Sequence, residues 1–192
     1  MKTLLITGFD PFGGEKLNPS WEAVSRLDDT IGAYRLEKLQ IPTVFGKAAQ
    51  TVLSAVREKK PDAVLCIGQA GGRSAVTPEY VAINLRYATI FDNEKNMPQD
   101  IPVIDGAPKA YFSTLPVRKM ANAIEQAGVR SQMSYSAGTF VCNDLLFTLL
   151  HEGVACAFIH VPYLPEQAKA DQPSMPLEQI VRALTAAISA LY

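Results

Sequence analysis

The sequence predicts an α/β fold, a single domain over residues 1–192 with a mostly parallel, twisted central sheet and helices on both faces. Three observations carry this. Short apolar runs at 4–8, 63–68 and 154–161 have the length and composition of strands buried on both faces. Patterns of helical period stand between them, and strands alternating with helices mean right-handed crossovers and a parallel sheet. With 192 residues, 48% of them hydrophobic, the chain is large enough to bury one substantial core.

Leu4-Leu5-Ile6-Thr7-Gly8 reads as a buried strand that feeds the loop Phe9-Asp10-Pro11-Phe12-Gly13-Gly14. A helix follows Asn18-Pro19-Ser20, with proline at an early position and Trp21, Val24 and Leu27 on one face. Residues 36–41 form a second strand. Ala48, Val52, Ala55 and Val56 mark a helix over 45–59 that ends in basic residues before Pro61. Residues 63–68 are the next strand, followed by Gln69-Ala70-Gly71-Gly72-Arg73, and 81–85 a further one. The Pro-, Asp- and Asn-rich stretch 92–108 has no periodicity and reads as a long irregular excursion, of a length that is often functional. A helix over 117–127 stops at Gly128, a short strand spans 132–135, and 143–151 is helical again. The strand 154–161 and an amphipathic helix carrying Leu177, Ile180, Val181, Leu184, Ile188 and Leu191 complete the chain. In such sheets ligands bind at the carboxyl ends of the strands, so the loops after Gly8, Gly68 and Val161 are the places to search.

Eighteen Lys and Arg against 19 Asp and Glu leave a formal charge of −1, too little field for wrapping nucleic acid or docking on anionic lipid. No apolar run approaches a membrane span or a signal peptide, which points to a cytoplasmic protein. Three cysteines and two histidines make neither a disulfide framework nor a zinc cluster, and nothing calls for a metal or other cofactor. Gly13-Gly14 and Gly71-Gly72 match no phosphate-binding motif.

Cysteine is the strongest nucleophile available. Cys66 and Cys156 lie inside apolar strands and read as core, whereas Cys142 opens a helix, where the helix dipole and free N–H groups point at its sulfur and favour an exposed thiolate. His151 lies nine helical residues further on, about 13.5 Å away, and cannot reach it. His160, at the carboxyl end of the following strand, can act as the base. An acid that fixes the imidazole tautomer would complete the set. Glu79 is placed for this, and Asp10, Asp92, Asp105 and Glu166 compete with it. Phe9 and Phe12 beside Gly13-Gly14 offer an apolar cradle with backbone donors for a compact neutral group.

Five blocks in collinear order resemble the pyroglutamyl peptidase I family, the pyrrolidone-carboxylate peptidases. They are Thr7 to Gly14 with Asn18-Pro19-Ser20, Gly68 to Arg73, Glu79 with Val81-Ala82-Ile83-Asn84, Ser136 to Asn143, and Phe158 to Gln167. The resemblance implies an α/β/α sandwich and a cysteine peptidase that removes N-terminal pyroglutamate from peptides through a thioester, with a homotetramer common among bacterial members. It assigns Cys142 as nucleophile, His160 as general base and acid, and Glu79 as the orienter, and it puts Phe9, Phe12, Thr43, Gln69, Phe140 and Val141 in the pyroglutamate pocket. The chain has Thr89 where members often have arginine before an Ile-x-Asp-Asn segment, with Arg86 three positions earlier, and Asp144 where many have histidine. Two rival readings share the sheet: a nucleoside phosphorylase-like protein, which needs phosphate-contacting arginines, and a catalytically impaired relative that binds pyroglutamyl peptides without turnover.

Overall fold

A computed structural model describes residues 1–191. Five strands follow the apolar runs or their flanks: β1 (Lys2–Phe9), β2 (Thr30–Ile31), β3 (Tyr34–Ile41), β4 (Ala63–Gln69) and β5 (Thr77–Glu79). With β8 (Cys156–Val161) they build a six-stranded sheet in the order β2-β3-β1-β4-β8-β5. The four central strands are parallel, and the edge strands β2 and β5 run antiparallel. The remaining strands, β6 (Val81–Ile83) and β7 (Ala110–Phe112), pair with each other in a separate antiparallel ribbon.

Helices α1 (Pro19–Ser25), α3 (Val117–Gln126) and α5 (Leu177–Ser189) cover one face, where Val24, Met120, Ile124, Ile180 and Leu184 bury Leu4, Ile6, Leu65 and Ile159. Helices α2 (Lys47–Lys59) and α4 (Val141–His151) cover the other, where Val52, Leu145 and Phe147 pack over Leu5, Val64, Cys66 and Phe158. Each strand alternates between the two layers, as its two-residue period requires.

The local chemistry explains how β1 hands over to α1. Asn18 caps the helix by accepting from the Ser20 N–H, Pro19 stands where a missing N–H costs nothing, and the Ser20 hydroxyl in turn accepts from the Phe9 N–H. A Cβ on Gly8 would lie 2.7 Å from the Trp21 backbone, so only glycine lets the helix start come this close to the strand end.

The excursion over 92–108 carries neither helix nor strand, in agreement with its sequence. Two expectations differ, and three short strands were not expected. Residues 132–135 form no strand; Ser131 and Ser134 make only isolated bridges to Val76 and Glu79. The strand at 81–85 ends at Ile83 and belongs to the ribbon, not the main sheet. Strands β2, β5 and β7, of two or three residues, are too short to leave a periodic signal. Among the described residues no helix is long and apolar enough to cross a membrane, and no group of three His, Cys, Asp or Glu residues could hold a metal ion.

Candidate active site

The site forms at the carboxyl ends of β4 and β8. Gly68 on β4 pairs in register with His160 on β8, and both share the face that carries Cys66 and Phe158. Helix α4 lies over that face with Cys142 in its first turn. A Cβ on Gly68 would meet the Phe158 ring at 2.5 Å and Cys142 Sγ at 3.0 Å, so the missing side chain is the space into which the thiol descends. Phe158 also supports the imidazole of His160, with ring centroids 4.7 Å apart. Cys142 and His160 line one cavity.

The carboxylate that meets His160 comes from the antiparallel edge strand. Thr77 faces His160 and Glu79 faces Phe158 across the β5–β8 ladder, and the fully buried Glu79 places Oε1 2.7 Å from His160 Nδ1. An ionised carboxylate only accepts, so the proton sits on Nδ1 and leaves Nε2 as the basic nitrogen. Of the competing acids, Asp10 accepts from the Thr43 N–H and Asn93, and Asp92 accepts from Glu94 and Asn96 within the excursion and from the Phe45 N–H before α2, so both hold loops.

Arg73 completes this arrangement. Its Nη1 donates to Glu79 Oε1 at 2.6 Å and to Thr77 Oγ1 at 2.5 Å, and its Nη2 donates to the Ser136 carbonyl at 3.2 Å. It therefore ties the loop after β4, the buried acid and the loop before Cys142 together. The sequence places it in a glycine-rich loop and gives it no role; its position inside a family-like block is the one signal that could have singled it out.

Burial and neighbouring charge shift all three groups. Burial raises the pKa of the Cys142 thiol, the negative charge of Glu79 and the neighbouring Cys66 add to this, and Arg73 opposes them. Burial lowers the pKa of His160 against the hydrogen bond and charge of Glu79, with Arg73 lowering it further. Burial works against the charge of Glu79, but the hydrogen bond and charge of His160, aided by Arg73, bring its pKa below the ordinary carboxylate value. Against the thiolate expected from a helix start, burial of the sulfur pushes the thiol pKa upward, while Cys142 itself stays only partly buried and lines the cavity. Cys66, fully buried, is pushed up to about 12 and is inert core, as is the buried Cys156. His151 is exposed and contacts the Tyr111 hydroxyl at 3.0 Å.

The cavity holds about 110 Å³, well below the roughly 300 Å³ at which drug-sized pockets begin, so it admits one compact group. Phe9, Phe12, Thr43, Gln69 and Phe140 line it as expected. Val141 does not: at the first helical position its side chain turns into the core beneath α4 and is fully buried. Asn18, Ala137, Gly138 and Thr139 line the cavity as well, though sequence reasoning gave them no role. Gln167 donates to Gln69 Oε1 at 3.1 Å and fixes the direction of that amide. No side chain caps the start of α4, so its first N–H groups face the cavity end of the helix without an intrahelical partner.

Two departures from the family pattern meet each other. Asp144, fully buried one turn into α4, accepts from Arg86 Nε at 2.5 Å and from the Gly46 N–H at 2.8 Å. Asn143 beside it bonds Ile83 N–H and the Ile83 and Leu85 carbonyls. Helix α4 is thereby clasped to the segment 83–86 immediately after Cys142.

Comparison with known proteins places this geometry. The family profile described as pyroglutamyl peptidase matches residues 1–192. The chain is 51% identical to the pyrrolidone-carboxylate peptidase of Escherichia fergusonii, over 100% of this chain and 94% of that one, and 50% identical to that of Brevibacillus brevis, over 98% and 92%. Among solved structures, pyroglutamyl peptidase I of Bacillus amyloliquefaciens superposes with a TM-score of 0.95 at 44% identity, covering 100% of this chain and 97% of that one. The pyrrolidone carboxyl peptidase of Thermococcus litoralis gives 0.94 at 36%, covering 100% and 93%.

Proposed function

The chain belongs to the pyroglutamyl peptidase family and is a cysteine-type hydrolase of peptides that begin with pyroglutamate, and we propose that Cys142, His160 and Glu79 carry the reaction. The observation that carries this assignment is the 2.7 Å contact of His160 Nδ1 with buried Glu79, on an imidazole that shares its cavity with Cys142.

His160 Nε2 takes the thiol proton as Sγ attacks the pyroglutamyl carbonyl. Free N–H groups at the start of α4 hold the developing oxyanion. The imidazolium, stabilised by Glu79, gives its proton to the leaving amine. Water then attacks the thioester with His160 again as base, releasing pyroglutamate and the free thiol.

The pocket suits the ring. Phe9, Phe12 and Phe140 enclose a flat neutral group, and Gln69, with its oxygen engaged by Gln167, presents its amide N–H to the lactam carbonyl. A ring without that carbonyl leaves the donor unpaired, which disfavours proline at this position. None of the cavity-lining side chains is a lysine or arginine, which argues against the phosphorylase-like reading.

Release of the chromophore from a chromogenic pyroglutamyl amide tests the assignment. The wild type should turn over and Cys142→Ser should lose at least about 10³-fold in kcat with an unchanged melting temperature. Binding without turnover by the wild type would select the impaired relative instead. The reading extends to a single catalytic domain in the cytoplasm and to a homotetramer, for which the exposed aromatic group Tyr80, Phe112 and Tyr135 offers an apolar face. Light scattering reads the assembly directly.

A further inference from the structure

One oxygen of the carboxylate that meets His160 has no partner. Glu79 Oε1 receives His160 Nδ1 at 2.7 Å and Arg73 Nη1 at 2.6 Å, whereas Oε2 is buried and meets no donor. An anionic oxygen in that state has lost its hydration without replacement, and both bonds on Oε1 leave the carboxylate free to turn about its own axis.

The backbone sets a hydroxyl beside it. Ser134 bridges Glu79 in parallel, donating its N–H to the Pro78 carbonyl at 3.0 Å and accepting from the Tyr80 N–H at 2.8 Å, so the two side chains project from one face. The Ser134 hydroxyl donates to the Ser136 carbonyl at 3.2 Å, an acceptor that does not depend on it, because Arg73 Nη2 donates there at 3.2 Å as well. Burial works against the charge of Glu79, and the groups that hold its pKa down are His160, then the Ser134 hydroxyl, then Arg73.

We propose that Ser134 is a positioning residue for the peptidase reaction: a turn of its hydroxyl from the Ser136 carbonyl to Glu79 Oε2 supplies the missing donor, fixes the plane of the carboxylate and keeps Oε1 aimed at His160 Nδ1. The inference rests on the peptidase reading above and on the role given there to Glu79. A donor on Oε2 stabilises the anion; without it the Glu79–His160 pair as a whole binds a proton more tightly, and the imidazole stays protonated to higher pH. The other charged or titratable groups facing the pair are Arg73, from the loop after β4, and the Cys142 thiol, from α4. Helix α3, packed against β5, buries Val117, Met120 and Ile124 and keeps Arg118, Lys119 and Glu125 exposed.

The test is the pH profile of kcat/KM on a chromogenic pyroglutamyl amide for the wild type, Ser134→Ala and Ser134→Thr. Ser134→Ala keeps the backbone bridge and removes the hydroxyl, so the acid limb should move upward by roughly half a pH unit or more. Its kcat at neutral pH should fall roughly three- to tenfold with KM unchanged, since Ser134 does not line the cavity. Ser134→Thr returns a hydroxyl to the same position and should bring the limb back. Loss of folded enzyme scales the whole profile without moving its limb, so a purely structural role in the 134–136 turn predicts a lower plateau on the wild-type limb. That result, or a limb displaced alike in both variants, would overturn the assignment. Absence of turnover by the wild type would instead overturn the peptidase reading, and this inference with it.

Discussion

Two arginine–carboxylate pairs flank Cys142, and by bond geometry they are nearly twins. Glu79 and Asp144 are both fully buried, their partners Arg73 and Arg86 are 29% and 23% exposed, and the N–O distances are 2.6 and 2.5 Å. Their surroundings separate them. Glu79 Oε1 also receives His160, a titratable group that changes charge in the proposed reaction, whereas the second oxygen of Asp144 receives the Gly46 N–H, which never does. A buried ion pair is therefore no marker of chemistry. The marker is a third, titratable partner that faces a cavity.

The sharpest separation comes from removing one charge of each pair. Glu79→Gln should lower kcat by roughly 10³–10⁴-fold, because an amide neither holds the Nδ1 tautomer nor stabilises the imidazolium, while the melting temperature moves little since Arg73 can rehydrate. Arg86→Gln should do the reverse: with Asp144 left buried and unpaired, about 3 kcal/mol of stability is lost, a fall on the order of 10 °C for a chain of this size, with KM and kcat nearly intact. Equal effects of both variants on kcat would erase the distinction.

Arg73→Gln probes the smaller contribution of the catalytic pair's cation. Arg73 lowers the pKa of His160, so its removal lets the imidazole keep its proton to higher pH, and the acid limb of the kcat/KM profile should move upward in pH. At neutral pH kcat should fall roughly tenfold with KM unchanged, since Arg73 does not line the cavity. Arg73→Lys should restore the limb by returning the charge; a profile unmoved in Arg73→Gln would leave Arg73 only a loop tether.

The sequence makes the central layer legible because a doubly buried parallel strand must be apolar throughout, as in Leu4 to Gly8 and Ala63 to Gly68. Helices α2 and α5 announce themselves by their apolar stripes. The edge is illegible for the same physical reason: Thr77-Pro78-Glu79 contains a proline and no apolar alternation, and it is a strand only because β8 offers it a partner 81 residues away. Cys142 and His160 stand out through their positions at a helix start and a strand end. Glu79 is separable from Asp10 and Asp92 only by long-range pairing or by family likeness. The environment of the thiol is not legible at all, since helix position argues for an anion and only the packed structure reveals the desolvation that opposes it. Val141 sits beside cavity-lining Phe140 and Cys142 in sequence, yet its side chain packs in the core, which neighbourhood in the chain does not reveal.

The order of strands in the sheet also orders events during synthesis. Glu79 and Cys142 leave the ribosome before His160, and β5 has no neighbour on the main sheet until β8 slots between it and β4. Until β8 takes that place the Glu79–His160 contact cannot form, so with the proposed roles one strand both closes the sheet and completes the site.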